Sequence, residues 1–323
     1  MSKRSVVYLL ILSFSVVCLG CGALTKSQVK EVNKFATAAK DCPQLPGKVV
    51  TEHAKIRKTR LVIQASTDMS GAAALNGINS ALRQEAKLAS RGAGTDATLK
   101  VLKDYADLLV KLTSDDFTTA LQASCETLGS SIDKGIKEYN TLQKASLSTF
   151  GSAVAAAVRG VGGMYIRAQQ EEALKKAVVS ADPVIRPMTA TIEETMALYL
   201  NDNQLAGVKL PAADKAPPAL TAGGLLANEK DDMTHLYTTT GQYNGKQPLT
   251  LALTVADKIE DIDTTAQLAA AAIEAAASYR VAHAALADMV SKKQDLPSEI
   301  AEVQVLADEV KAAMDLKDKL DKK

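Results

Sequence analysis

Apolar residues recur at three- and four-residue spacing along most of the chain, so the sequence predicts helices throughout. Val29, Val32, Phe35 and Ala39 mark a short first helix, broken at Pro43 and Pro46-Gly47. A second pattern covers 48–67, with Ile56, Leu61 and Ile63, and a continuation through 70–90 carries Ala74, Ile78, Leu82 and Leu88. Arg91-Gly92-Ala93-Gly94 reads as a stop. A new helix follows with Leu99, Leu102, Tyr105, Leu108 and Leu112, punctuated by the cap-forming run Thr113-Ser114-Asp115-Asp116. The stripe Phe117, Leu121, Cys125, Leu128, Ile132, Ile136, Tyr139 predicts a helix over 115–142.

Segment 148–166 breaks the pattern, being apolar on nearly all sides and rich in small residues. Asp182-Pro183 then reads as an N-cap with proline in the first helical position, opening a helix to about 201. Residues 203–221, with Gly207, Pro211, Pro217 and Pro218, read as a loop or linker. A modest helix over 225–238 comes next. Residues 249–293 read as a single helix about 67 Å long at 1.5 Å per residue. Pro297 or Ser298 opens the last helix, with Ile300, Val303, Leu306, Val310, Met314 and Leu320. So short a turn makes these two helices antiparallel neighbours. The expected fold is an all-α, elongated antiparallel bundle ending in a long helical hairpin. Region 21–202 and region 222–323 share that bundle.

The first twenty residues stand outside this scheme. Lys3 and Arg4 precede an apolar run over Val6–Val17, which has the length of a signal-peptide core. It is too short to cross a bilayer, which takes about 20 apolar residues. The run ends in Cys18-Leu19-Gly20-Cys21-Gly22. This resembles the lipobox of bacterial lipoproteins, with Cys18 where leucine is usual. The resemblance covers this segment alone. It implies removal of 1–20, a diacylglycerol thioether on Cys21 and an acyl chain on its freed amine. Gly22 in place of aspartate implies, by analogy with enterobacterial sorting, the outer membrane, facing periplasm or cell surface. A rival cut after Ala23 fits the small-x-small rule of ordinary signal peptidase and would release a soluble protein.

Processing at Cys21 removes Lys3 and Arg4, leaving 36 basic against 37 acidic side chains. So balanced a chain gives no electrostatic reason to expect nucleic acid. The basic stretch 55–60 reads as a solvated helix face. Aromatic residues are 4% and Trp is absent, which argues against sugar-stacking or base-stacking platforms. Beyond the signal and Cys21 only Cys42 and Cys125 remain. Export to an oxidising compartment predicts a Cys42–Cys125 disulfide that staples the N-terminal segment to a central helix.

Candidate chemistry is sparse. His53, His235 and His283 form no metal-binding pair, although Asp231 precedes His235 by one helical turn. Asp257, Glu260, Asp261 and Asp263 lack the glycine and ligand register of an EF-hand and read as acidic residues complementing a helix dipole. Gly160, Gly162 and Gly163 have no preceding strand and no Gly-Lys-Ser/Thr ending, so they form no phosphate loop. The sequence predicts no enzyme, no metal and no cofactor beyond the lipid. Gly151, Arg159, Gly160 and Gly163 mark a segment suited either to close packing as the bundle's central helix or to entering a membrane. The expected function is a membrane-anchored, non-enzymatic envelope lipoprotein that binds or scaffolds another envelope protein. The alternative is a membrane-active, pore-forming-like protein using 148–166.

Overall fold

The computed structural model describes residues 24–68, 71–115, 119–158, 166–200, 224–244, 249–292 and 297–322. Residues 1–20, Cys21, the rival cleavage site, Arg159, Gly160, Gly163 and the 203–221 segment lie outside them. The fold is all-α. In chain order the helices are α1 (Lys26–Ala39), α2 (Leu45–Asp68), α3 (Ala72–Leu112), α4 (Thr119–Gln143), α5 (Gly151–Val158), α6 (Ile166–Leu200), α7 (Leu225–Asn244), α8 (Leu249–Lys292) and α9 (Pro297–Asp321).

Thr25 caps α1. Its hydroxyl accepts from the Gln28 N–H while the Gln28 side chain accepts from the Thr25 N–H, a reciprocal capping box. A 3-10 turn, Cys42–Gln44, leads directly into α2. Pro46 and Gly47 therefore do not break the chain as the sequence predicts; they sit in the first turn of α2, where a missing proline N–H costs nothing. Gly71, with φ +56°, makes the turn before α3, a backbone conformation that side chains disfavour. α2 and α3 then pack along each other.

Two further predicted boundaries vanish. The backbone stays helical through 91–94, so α3 is one helix of 41 residues. Each glycine in a helix costs only about 1 kcal/mol, which the packing of the remaining turns outweighs. Likewise α6 runs unbroken through Pro183 and Pro187. Each proline removes one backbone N–H hydrogen bond, at roughly 3 kcal/mol. Against that cost stands the buried face Leu174, Val178, Ala181, Ile185, Met188 and Ile192, packed on α8. Asp182 is thus a mid-helix residue and not an N-cap.

The centre of the bundle is α8. α6, α9, α2, α7 and α1 all pack against it. Ala266, Ala269, Ala272, Ala275 and Ala276 are buried along its middle, and their small side chains let several helices approach at once. The described part of segment 148–166 does not hold that position. Its first half forms the short α5, wedged against α4 and α6. Lys144 adopts a left-handed conformation (φ 52°) and ends α4. The Asn140 amide then grips the Leu147 backbone in both directions at 2.9 Å and leads the chain into α5. Because α6 and α8 share one of the most extensive contacts in the molecule, helices from both sides of 203–221 form one core.

Candidate functional site

The N-terminal junction is built tightly. Leu24 is 6% exposed and joins the main core. Gln28 and Glu31 are buried on the same helix, with Val32 and Phe35 beneath them. Asn33 donates from Nδ2 to the Thr113 hydroxyl at 2.7 Å, and that hydroxyl donates to the Leu109 carbonyl. α1 is thereby fixed to the C-terminal end of α3. Cys21 is three positions before Leu24, so at most about 10 Å of extended chain separates the two.

Cys42 and Cys125 are both buried and both free thiols, which corrects the predicted disulfide. The turn carrying Cys42 packs against α1, α2, α3 and α8. α4, which carries Cys125, packs chiefly on α3 and α5. The Cys42 thiol lies near Glu309 and Tyr279, whereas Cys125 lies near Lys111. Burial pushes the Cys42 thiol up to about 12 and Cys125 up to about 11, so both stay protonated and unreactive.

Two histidines form the best-built polar nodes. His283, on α8, is fully buried. Its Nε2 lies 2.8 Å from the Tyr105 hydroxyl of α3, and its Nδ1 lies 3.4 Å from Oδ1 of Asp182 on α6. A carboxylate only accepts, so we assign Nδ1–H as donor to Asp182 and Nε2 as acceptor from Tyr105. Burial raises the Tyr105 hydroxyl well above its usual range, which keeps its proton in place. Burial also lowers His283, although Asp182 opposes this, and the ring is neutral near pH 7. Asp182 is lowered by its hydrogen bond from His283 and by Arg186, whose Nε donates at 3.0 Å. Edge-on contacts with Phe35 (5.7 Å) and Tyr105 (5.5 Å) enclose the imidazole. Three helices are pinned at this point.

The second node joins α2 to α7. Glu229 is 4% exposed and receives Arg60 Nε at 2.7 Å. Arg57 lies 3.9 Å away and His53 Nε2 3.8 Å away. His53 stacks edge-on against Tyr199 at 5.4 Å. Burial lowers its basicity, Glu229 opposes, and the two arginines reinforce the lowering. The basic stretch 55–60 is thus only partly a solvated face, because Arg60 is spent on an inter-helix ion pair.

Other sequence candidates fall elsewhere. His235 and Asp231 are exposed on α7. Among the described residues no three His, Cys, Asp or Glu side chains cluster as a metal site. The 257–263 acidic group lies beyond the first turn of α8, where a dipole effect has faded. Two of its members make pairs instead: Asp261 with Lys258 at 2.6 Å, and Asp263 with Lys230 of α7 at 2.7 Å. Gly151 is buried against Gly129, and Val154, Ala155 and Val158 face the core. Among the described residues no helix is long and apolar enough to cross a membrane.

Sequence reasoning missed one further feature, a carboxyl pair across the C-terminal hairpin. Glu274 on α8 is raised to about 7 by burial and by Glu309 of α9. Burial also raises Glu309, whose Oε2 is buried without a hydrogen-bond partner among the described residues. A carboxyl raised in the folded state adds stability fully present below its unfolded value near 4.5. That stability is lost as pH rises through about 7. Glu274→Gln should therefore stabilise the protein at pH 8 by about 1 kcal/mol, discounted for partial solvent screening, and change little at pH 5. Thermal denaturation at the two pH values checks this; equal effects at both would refute the pairing.

No family model, curated protein or solved structure matches the chain. The class defined by fold and site is an all-α bundle in which His283 joins three helices and a buried Arg60–Glu229 pair joins two more.

Proposed function

We propose that this protein is a cell-envelope lipoprotein, held to a membrane by lipid on Cys21, whose helical body binds or scaffolds another envelope protein without catalysis. The observation that carries this reading is the join between the Leu19-Gly20-Cys21 segment and a body whose core already includes Leu24. A lipid on Cys21 would hold Leu24, just before α1, within about 10 Å of the bilayer surface. The tether would then orient the bundle as well as retain it. Two or more acyl chains anchor firmly, at about 0.8 kcal/mol per buried CH₂. The binding role is supported by the buried nodes, where His283 and the Arg60–Glu229 pair hold helices together and leave helix faces as the surface presented to partners.

Mass spectrometry of the mature N-terminus tests the anchor. The expected peptide begins at Cys21 with a diacylglycerol adduct and an acylated amine. Cys21→Ala should abolish palmitate labelling and move most of the protein out of the membrane fraction. A mature chain beginning at an unmodified Leu24 overturns the reading.

A further inference from the structure

The turn after α1, the start of α2, the C-terminal third of α3 and the end of α9 line a cleft of about 700 Å³. Four lysines from three helices line it: Lys48 of α2, Lys100 and Lys103 of α3, and Lys317 of α9. The acidic groups lining it are Asp104 and Asp107. Both already have partners. Asp104 accepts from Lys100 and from the Ser131 hydroxyl, and Asp107 pairs with Lys40 at 2.8 Å. Lys48 and Lys317 share Asp321, at 2.6 and 2.7 Å, and Lys48 also reaches Glu52 at 2.6 Å. Asp321 is itself lowered to about 2 by these two lysines, so it stays ionised and holds them in place. Lys103 has no ion-pair partner among the described residues and is only partly exposed. With the paired Lys40, Asp321 and Glu52 counted, five ammoniums face four carboxylates at the cleft, and the one positive group in excess is the uncommitted Lys103.

We propose that this cleft binds a phosphate group carried on a hydroxylated body, such as a glycerophosphate, with Lys103 as the principal contact. The assignment follows from the donor set. The free ammonium of Lys103 acts as a point charge, the mode in which lysine holds the tetrahedral phosphate oxyanion, and Lys48, Lys100 and Lys317 are each held by a carboxylate. The volume far exceeds that of one phosphate. The Thr51 hydroxyl and the Gln44 amide line the remaining space with groups that hydrogen-bond hydroxyls. The phosphate has two possible sources, a free phosphomonoester or a phospholipid headgroup, and both present the same chemistry to Lys103. The proposal stands whether or not Cys21 is acylated.

Calorimetric titration of the purified protein at low salt tests it, using three probes below their micelle concentrations: glycerol 3-phosphate, dihexanoyl phosphatidylglycerol and dihexanoyl phosphatidylcholine. The expected result is sub-millimolar binding of at least one of the first two. Lys103→Glu should weaken it at least tenfold, Lys103→Arg should retain most of it, and added salt should reduce it. Binding of glycerol 3-phosphate alone identifies a free phosphomonoester; tighter binding of phosphatidylglycerol identifies a headgroup. Lys34→Glu, outside the cleft, controls for general charge effects. Lys317→Gln supplies a second reading should Lys103→Glu fail to fold. No binding of either anionic probe, equal binding of phosphatidylcholine, or an affinity indifferent to Lys103→Glu and Lys317→Gln overturns the proposal.

Discussion

Replacing His283 with alanine should destabilise the bundle by about 3 kcal/mol at pH 7.5 and flatten the acid side of its stability profile. The cost has two parts. A fully buried ring in contact with Phe35 and Tyr105 is removed, and the surroundings refill only partly. The Tyr105 hydroxyl, itself buried, is left without its 2.8 Å acceptor, and Asp182 loses a donor. The pH effect has a definite sign. Burial lowers the folded-state basicity of His283 below the ordinary value of 6.5, so the unfolded chain takes up the proton first. The stability contributed by the neutral ring is full above pH 6.5 and is lost as pH falls from there through the folded-state value. His53 shifts in the same direction and should supply what remains of the acid slope in the variant. Urea denaturation at pH 7.5 and 5.5 reads both effects. At about 2 °C per kcal/mol for a chain of this size, the melting temperature should fall by roughly 6 °C. A loss below 1 kcal/mol with an unchanged acid slope would show that the imidazole is not the clamp described.

Gly151→Val should be as damaging, by roughly 3 kcal/mol or more, for a different reason. α4 and α5 meet backbone to backbone at Gly129 and Gly151. A side-chain carbon added to Gly151 would overlap the Gly129 carbonyl, and one added to Gly129 would stand 2.5 Å from the Gly151 carbonyl oxygen. Backbone cannot rotate away as a flexible side chain can, so the helices would have to separate. Separation would also break the cap on α5, where the Asp133 carboxylate accepts from the Gly151 and Ser152 N–H groups at 2.6 and 2.9 Å. Tyr105 would lose its edge-on contact with Phe150, at 5.9 Å. Hydrogen exchange should show lost protection in 150–158 before global unfolding. Ser152→Ala, at an exposed side chain beside the same cap, should be nearly neutral. Comparable stability of Gly151→Val and Ser152→Ala would sink the account of this crossing.

The histidines and the Glu274–Glu309 pair pull in opposite directions. The first two lose stability as pH falls below 6.5, and the carboxyl pair loses it as pH rises through about 7. The wild-type optimum should accordingly lie near neutrality, with each variant tilting the profile toward the side its partner group no longer restrains.

Periodicity alone determined that the chain is helical and where its long C-terminal hairpin turns. Spacing of apolar residues is a local property, and the run from Leu249 to Lys292 carries enough alanine to be helical on intrinsic grounds. The same local reading placed a stop at 91–94 and a helix start at Asp182-Pro183 that the fold overrides. A breaker's cost of one to three kcal/mol is visible in sequence, whereas the buried face that outweighs it exists only once α3 lies along α2 and α6 along α8. The Cys42–Cys125 pairing failed for the same kind of reason. Two cysteines can be counted in a sequence, but the different helices each one packs among cannot. Tyr105 and Asp182 lie 178 and 101 residues along the chain from His283, and no motif links them. Only the approach of three helices makes a node of a histidine in an alanine-rich stripe, because hydrogen bonds between distant elements depend on where packing sets their backbones.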